Sequence, residues 1–152
     1  MRVVELNEKK LVGIRVVCSG HQYVQEIPRA AVQLKARLSE IKDLVYPVRL
    51  IGAFIAGDYS EEEDGYWVCV EVKEGKEIPR GMVSIVVPEQ RYAVARHRGP
   101  NYAIRTTYEK LHQWIEDNEC TRIPRAWHLE ISEDWGNEGI ADVETDLYDT
   151  IK

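Results

Sequence analysis

No run of about 18 consecutive apolar residues occurs in the chain, so a membrane-spanning helix is not expected. Cysteine is scarce. Cys18, Cys69 and Cys120 are odd in number, far apart and in no C-x-x-C spacing, which excludes a disulfide framework and a cysteine zinc site. They are expected to be reduced, mostly buried thiols. His21, His97, His112 and His128 show no HxxxH or similar ligand spacing, so no zinc site is suggested. No glycine-rich phosphate loop occurs, and no Ser or Cys sits in a nucleophile elbow. No cofactor is expected. Positive charge is also short: 20 Lys and Arg face 26 Asp and Glu, for a net charge of -6. An acidic domain repels phosphates, and no basic recognition helix or helix-turn-helix is visible. Direct nucleic-acid binding is therefore not expected. The N-terminus, Met1-Arg2-Val3-Val4-Glu5, is charged within its first residues and does not read as a signal peptide. A cytoplasmic location follows as the expectation.

What is present reads as a globular protein. The 152 residues are 44% hydrophobic and 30% charged, enough for one domain or two small subdomains sharing a core. The stretch Ile85 to Glu116 is the clearest unit. Ile85-Val86-Val87 breaks at Pro88, a strand-like run follows over Arg91–His97, and Gly99-Pro100 makes a turn. Ile104, Tyr108, Leu111 and Ile115 then fall on one helical stripe. A similar unit stands earlier. Leu11–Ser19 reads as a strand, and Ile27, Ala31, Leu34, Leu38 and Ile41 form a second stripe. Pro28 and Pro100 both suit a helix entry, where a missing N–H costs little.

Each half thus predicts strand, helix, strand, strand. The first is Leu11–Ser19, Ile27–Leu44, Arg49–Ala56 and Gly65–Lys73. The second is Arg91–His97, Tyr102–Asp117, Arg125–Ser132 and Ala141–Ile151. The acidic run Glu61–Asp64 reads as a solvated hairpin loop, with a metal site as the sharper alternative. Glu133–Gly139 reads as a turn-rich loop. The expected class is α+β: a tandem βαββ repeat with halves 1–78 and 79–152, two antiparallel sheets with one helix each, a pseudo-twofold axis and a central groove between them. Strand parity separates Tyr66, Val68, Val70 and Val72 from Trp67, Cys69 and Glu71. It likewise separates Trp127, Leu129 and Ile131 from His128 and Glu130. The faces away from the helices are expected to collect Trp67, Glu71, Glu130, Glu144, Asp146 and Tyr148. Rings beside carboxylates suit a lipophilic cation. The bland alternative is that alternating polar residues simply face water.

These residues resemble the GyrI-like small-molecule-binding domain, also found as the effector-binding half of AraC-type and MerR-type multidrug regulators. The resemblance rests on Ile85-Val86-Val87-Pro88 followed by Tyr92 to Pro100, similar to the family's "IPagrYavf.h.Gp". Tyr108, Leu111, Trp114 and Ile115 resemble its "y..l..Wl" helix. Gly65 to Val72, Leu129-Glu130 and Asp146 to Lys152 complete it, so it covers essentially the whole chain. Two departures stand out: Ser132 replaces an aromatic two residues after Glu130, and Thr150 replaces a terminal proline.

The resemblance implies a groove in which an acidic residue, here Glu130, meets cationic aromatic ligands. The expected ligand-binding residues are Glu130, Trp67, Tyr148, Glu71, Tyr92 and Trp127. The function expected is stand-alone binding or sequestering of a small molecule. Some family members hydrolyse strained, cyclopropane-bearing toxins, which would make Glu130 catalytic. A protein partner such as DNA gyrase is the third reading, with Glu61–Asp64 as its contact. Oligomeric state is left open.

Overall fold

The computed structural model describes residues 1–57, 60–135 and 142–152. Asp58 and Tyr59 of the first expected loop, Gly136–Gly139 of the second, and Ala141 of the last expected strand lie outside the described residues. The described residues form eight strands and two long helices. In order they are β1 Arg2–Leu6, β2 Lys9–Val16, α1 Tyr23–Ala36, β3 Leu50–Ile55, β4 Tyr66–Val72, β5 Val83–Val87, β6 Gln90–Pro100, α2 Ile104–Asp117, β7 Trp127–Ser132 and β8 Asp142–Ile151. Short 3-10 turns at Gly20–Gln22 and Asn101–Ala103 lead into α1 and α2.

The strands make one antiparallel sheet, ordered β1-β6-β8-β7-β3-β4-β2-β5. Two sheets were expected. The β3–β7 pairing, which sets Gly52 opposite Glu130, joins them into one. The leading strands also cross over. β1 pairs with β6, and β5 pairs with β2, so each end of the sheet is finished by a strand from the other half of the sequence.

Register fixes which residues share a face. Val68, Gly52, Glu130, Leu147 and Ala95 oppose one another from strand to strand across the sheet. Val68 packs in the core under α1, while Leu147 and Ala95 pack in the core under α2. Both helices therefore lie on one face, and Glu130 is on that face. The other face is a core in its own right. There Trp67, Cys69, Ile51, Leu129, Val94 and Tyr148 pack together, joined by Leu6 of β1 and Val87 of β5 from the two sheet edges. Burial on both faces explains why β4 is almost continuously apolar.

Helix bounds differ from the stripe. α1 begins at Tyr23, ahead of Pro28, and ends at Ala36, short of Leu44. The apolar period outlives the helix because Leu38 and Ile41 still pack against the same core after the chain has turned into a 3-10 segment. Leu44 then bridges to Val72. In α2 the stripe and the helix coincide: Leu111 and Ile115 are its buried residues.

Candidate functional site

The two helices cover the two flanks of the sheet and leave β3 and β7 bare between them. That gap is a cavity of about 560 Å³. α1 supplies Tyr23 and Ile27 to its wall, α2 supplies Ile104, and Phe54, Tyr66 and Glu130 form its floor. Glu63 and Asp64 from the acidic loop reach its edge.

Glu130 accepts two phenolic hydrogen bonds. Tyr66 donates to Oε1 at 2.5 Å and Tyr108 donates to Oε2 at 2.7 Å. The first bond depends on a glycine. Tyr66 lies on β4 and must cross β3 to reach β7, and it crosses at Gly52. A Cβ on residue 52 would sit 1.6 Å from the Tyr66 hydroxyl and 2.3 Å from Cζ. The missing side chain is the slot through which the phenol passes. Phe54 is stacked on Tyr66, with ring centroids 5.9 Å apart, and stands edge-on to Tyr108 at 6.4 Å. Burial, then the charge of Glu130 and the hydrogen bond to it, push both phenols well above the ordinary value of 10. They therefore remain donors at neutral pH. Among the described residues no Lys, Arg or His lies within ion-pair distance of Glu130. Its negative charge is hydrogen-bonded but not neutralised.

A second acid stands behind this floor. Asp149 of β8 is fully buried. His128 Nε2 lies 2.6 Å from its Oδ1, while His112 Nε2 and Arg122 Nε lie 2.8 and 2.9 Å from its Oδ2. Burial alone would raise this carboxyl, but His128, Arg122 and His112 together hold it below 3.8. His112 is depressed by its own burial and by the Arg122 guanidinium. The His128 ring in turn stacks on Phe54 at 5.3 Å.

Of the expected site residues, only Glu130 reaches the cavity. Trp67, Trp127, Tyr92 and Tyr148 are on the opposite face. Trp67 and Trp127 meet edge-on at 5.1 Å, Tyr92 and Tyr148 at 5.6 Å, and all four belong to the central core. Glu71 shares that face and pairs with Lys9 at 3.0 Å. Glu144 and Asp146 pair with Arg96 near the surface. Trp67, Glu71 and Tyr148 do face away from the helices as expected, but that face is a packed core and the cavity lies on the other. Only β7 is inverted: Trp127, Leu129 and Ile131 join that core, and Glu130 stands on the helix side. The residues that do accompany Glu130 are Tyr66, Tyr108, Phe54 and Gly52. Tyr108 stood in the helical stripe, and a glycine within an apolar strand hints at close approach, but nothing in the sequence pairs them with Glu130. The acidic loop is partly tied down: Glu63 pairs with Arg125 at 2.7 Å, and Arg15 donates to the Asp64 carbonyl at 2.6 Å. No group of three His, Cys, Asp or Glu among the described residues is placed to hold a metal.

Residues 1–148 match the family described as the GyrI-like small molecule binding domain. The chain belongs to that family. Solved structures agree in fold. SAV2435 bound to tetraphenylphosphonium is 17% identical with a TM-score of 0.73, and the match covers 99% of this chain and 93% of that one. The EcmrR C-terminal domain is 20% identical with a TM-score of 0.71, covering 99% and 96%. A hydrolase from Listeria innocua is 13% identical with a TM-score of 0.56, covering 99% and 91%. At these identities the likeness speaks for the fold alone. No curated protein sequence matches the chain. As a member of the family, the chain is a small-molecule-binding domain. Among the described residues no helix is long and apolar enough to cross a membrane.

Proposed function

We propose that the protein binds a lipophilic aromatic cation between α1 and α2, with Glu130 as the counter-charge. The observation that carries this is the state of Glu130. It lies on the floor of an aromatic and aliphatic cavity, held by two protonated phenols and, among the described residues, by no cation. A carboxylate so placed gains from an incoming positive charge, because a half-buried site screens the pair less than bulk water does. Phe54, Tyr66 and Tyr23 supply rings for contact with an aromatic ligand. That SAV2435 takes up tetraphenylphosphonium supports the same reading for this fold. We read the order β2-α1-β3-β4 followed by β6-α2-β7-β8 as a tandem βαββ repeat, whose symmetric sheet brings the two bare central strands together as the floor.

The test is isothermal titration with tetraphenylphosphonium and with neutral triphenylphosphine oxide, on the wild type and on Glu130→Gln. Charges about 5 Å apart at an effective dielectric of about 20 attract by roughly 3 kcal/mol. The expected loss for the cation is thus on the order of a hundredfold. The neutral compound should change little. Equal losses for both would refute the counter-charge.

The hydrolase reading uses the same cavity. Its support is a carboxylate placed beside two phenolic proton donors, a set able to move protons at a bound electrophile. Incubation with a strained alkylating compound followed by mass spectrometry separates the two. A hydrolysed product formed catalytically means enzyme; unchanged compound with a thermal shift means binder.

A further inference from the structure

α2 lies on the flank of the sheet. Its backbone approaches β6, and the sheet order β6-β8-β7 puts β8 between that strand and the one bearing Glu130. Tyr108 must therefore reach across β8 to donate to Glu130. Leu111 and Ile115 pack on Ala93, Ala95, Leu147 and Ile151 and press the helix onto β6 and β8. How it stands toward β7 matters to Glu130, because a hydrogen bond of 2.7 Å is lost within about 1 Å of displacement.

Asp149 occupies the strand between. One of its oxygens meets His112, which stands one helical turn beyond Tyr108 on α2. The other meets His128, two residues before Glu130 on the same face of β7. The result is two parallel rungs from α2 to β7. One is Tyr108 to Glu130, and the other is His112 to Asp149 to His128. Arg122 closes the second rung from the loop before β7. A carboxylate with no exposure is costly to bury; Arg122 donates a hydrogen bond to it, and the two imidazoles meet it as close ion-pair contacts, so that it ties α2, β7 and the loop before β7 to β8.

We infer that Asp149 is a positioning residue of the ligand cavity: through His112 it holds Tyr108 in line with Glu130, and through His128 it holds the ring on which Phe54 rests. The carboxylate is fully buried and does not line the cavity. It decides where the hydroxyl and one aromatic wall of the cavity stand. This rests on the cavity being the binding site, but its first test needs no ligand.

In that test the tyrosines are labelled with carbon-13 at Cζ, and the Tyr108 signal is assigned by its loss in Tyr108→Phe. Asp149→Asn and His112→Phe, which keeps a ring in place of the one 6.1 Å from Tyr108 but cannot meet Asp149, should each move the Tyr108 signal, while Tyr92 and Tyr148 on the other face of the sheet stay in place. A Tyr108 signal unmoved in both variants overturns the inference. If Asp149→Asn does not fold, His112→Phe, at a partly exposed position, decides alone. The second test uses tetraphenylphosphonium. His112→Gln should weaken its binding by about threefold or more in the wild-type background and leave Tyr108→Phe nearly unchanged. Equal losses in both backgrounds overturn the inference. If the wild type does not bind tetraphenylphosphonium at all, the cation proposal fails, and the carbon-13 result still settles the role of Asp149.

Discussion

Gly52→Ala should damage this protein well beyond what adding one methyl group to a strand suggests. A Cβ at that position would lie 1.6 Å from the Tyr66 hydroxyl, 2.3 Å from Cζ and 2.8 Å from Cε1, and these three nearest atoms all belong to one ring. Ordinary van der Waals contact begins at 3.4 Å, so the hydroxyl must retreat by roughly 2 Å. That breaks its 2.5 Å bond to Glu130. A hydrogen bond to a charged group contributes about 1.5–3 kcal/mol, and the carboxylate it leaves is half-buried. For a chain of this size each kcal/mol shifts Tm by roughly 2–4 °C, so a fall of at least about 3 °C is expected. Thermal unfolding followed by circular dichroism reads it. The sharper measurement is the same substitution in a Tyr66→Ala background. With the ring gone the clash goes too, and alanine costs the chain less backbone entropy than glycine by about 0.4–1 kcal/mol. There Gly52→Ala should be neutral or slightly stabilising. Tyr66→Phe should not rescue it, since Cζ and Cε1 remain. An equal Tm loss in the wild-type and Tyr66→Ala backgrounds would show that the slot is not what residue 52 provides.

Two further outcomes follow from the buried acids. Asp149 is held below its ordinary 3.8, so its contribution to stability is present above that value and is lost as pH falls through the lower folded one. Asp149→Asn should lower Tm at neutral pH and flatten the decline below about pH 4; an unchanged acid limb would contradict it. Tyr66 and Tyr108 are raised, so they should stay protonated as pH passes 10 and release their protons only when the fold opens. Absorbance at 295 nm followed with circular dichroism checks this, and their early titration in the folded protein would be the contrary result.

Much of the architecture was legible because periodicity records burial. The stripe Ile104, Tyr108, Leu111 and Ile115 became α2 nearly residue for residue. Strand parity also held, since Glu130 does oppose Trp127, Leu129 and Ile131 on β7. What parity cannot carry is which side of the sheet the helices take. Both faces here are apolar, so Trp67 and Tyr148 looked like groove walls when they are core. The exchange of β1 and β5 was hidden for a related reason: a short edge strand carries no mark of its partner. Glu130 emerged from the resemblance and from its polar parity. Tyr66 did not, because its path depends on Gly52, a strand away. The Asp149 cluster draws on residues 112, 122, 128 and 149, and no local spacing joins them.

The most direct measurement of the central claim is a crystal of the protein with tetraphenylarsonium, which copies tetraphenylphosphonium in shape and charge and carries an anomalous scatterer. The account predicts a single arsenic peak between α1 and α2, over Phe54 and beside the Glu130 carboxylate. A peak on the Trp67 face or at the protein surface, or none at saturating concentration, would contradict it.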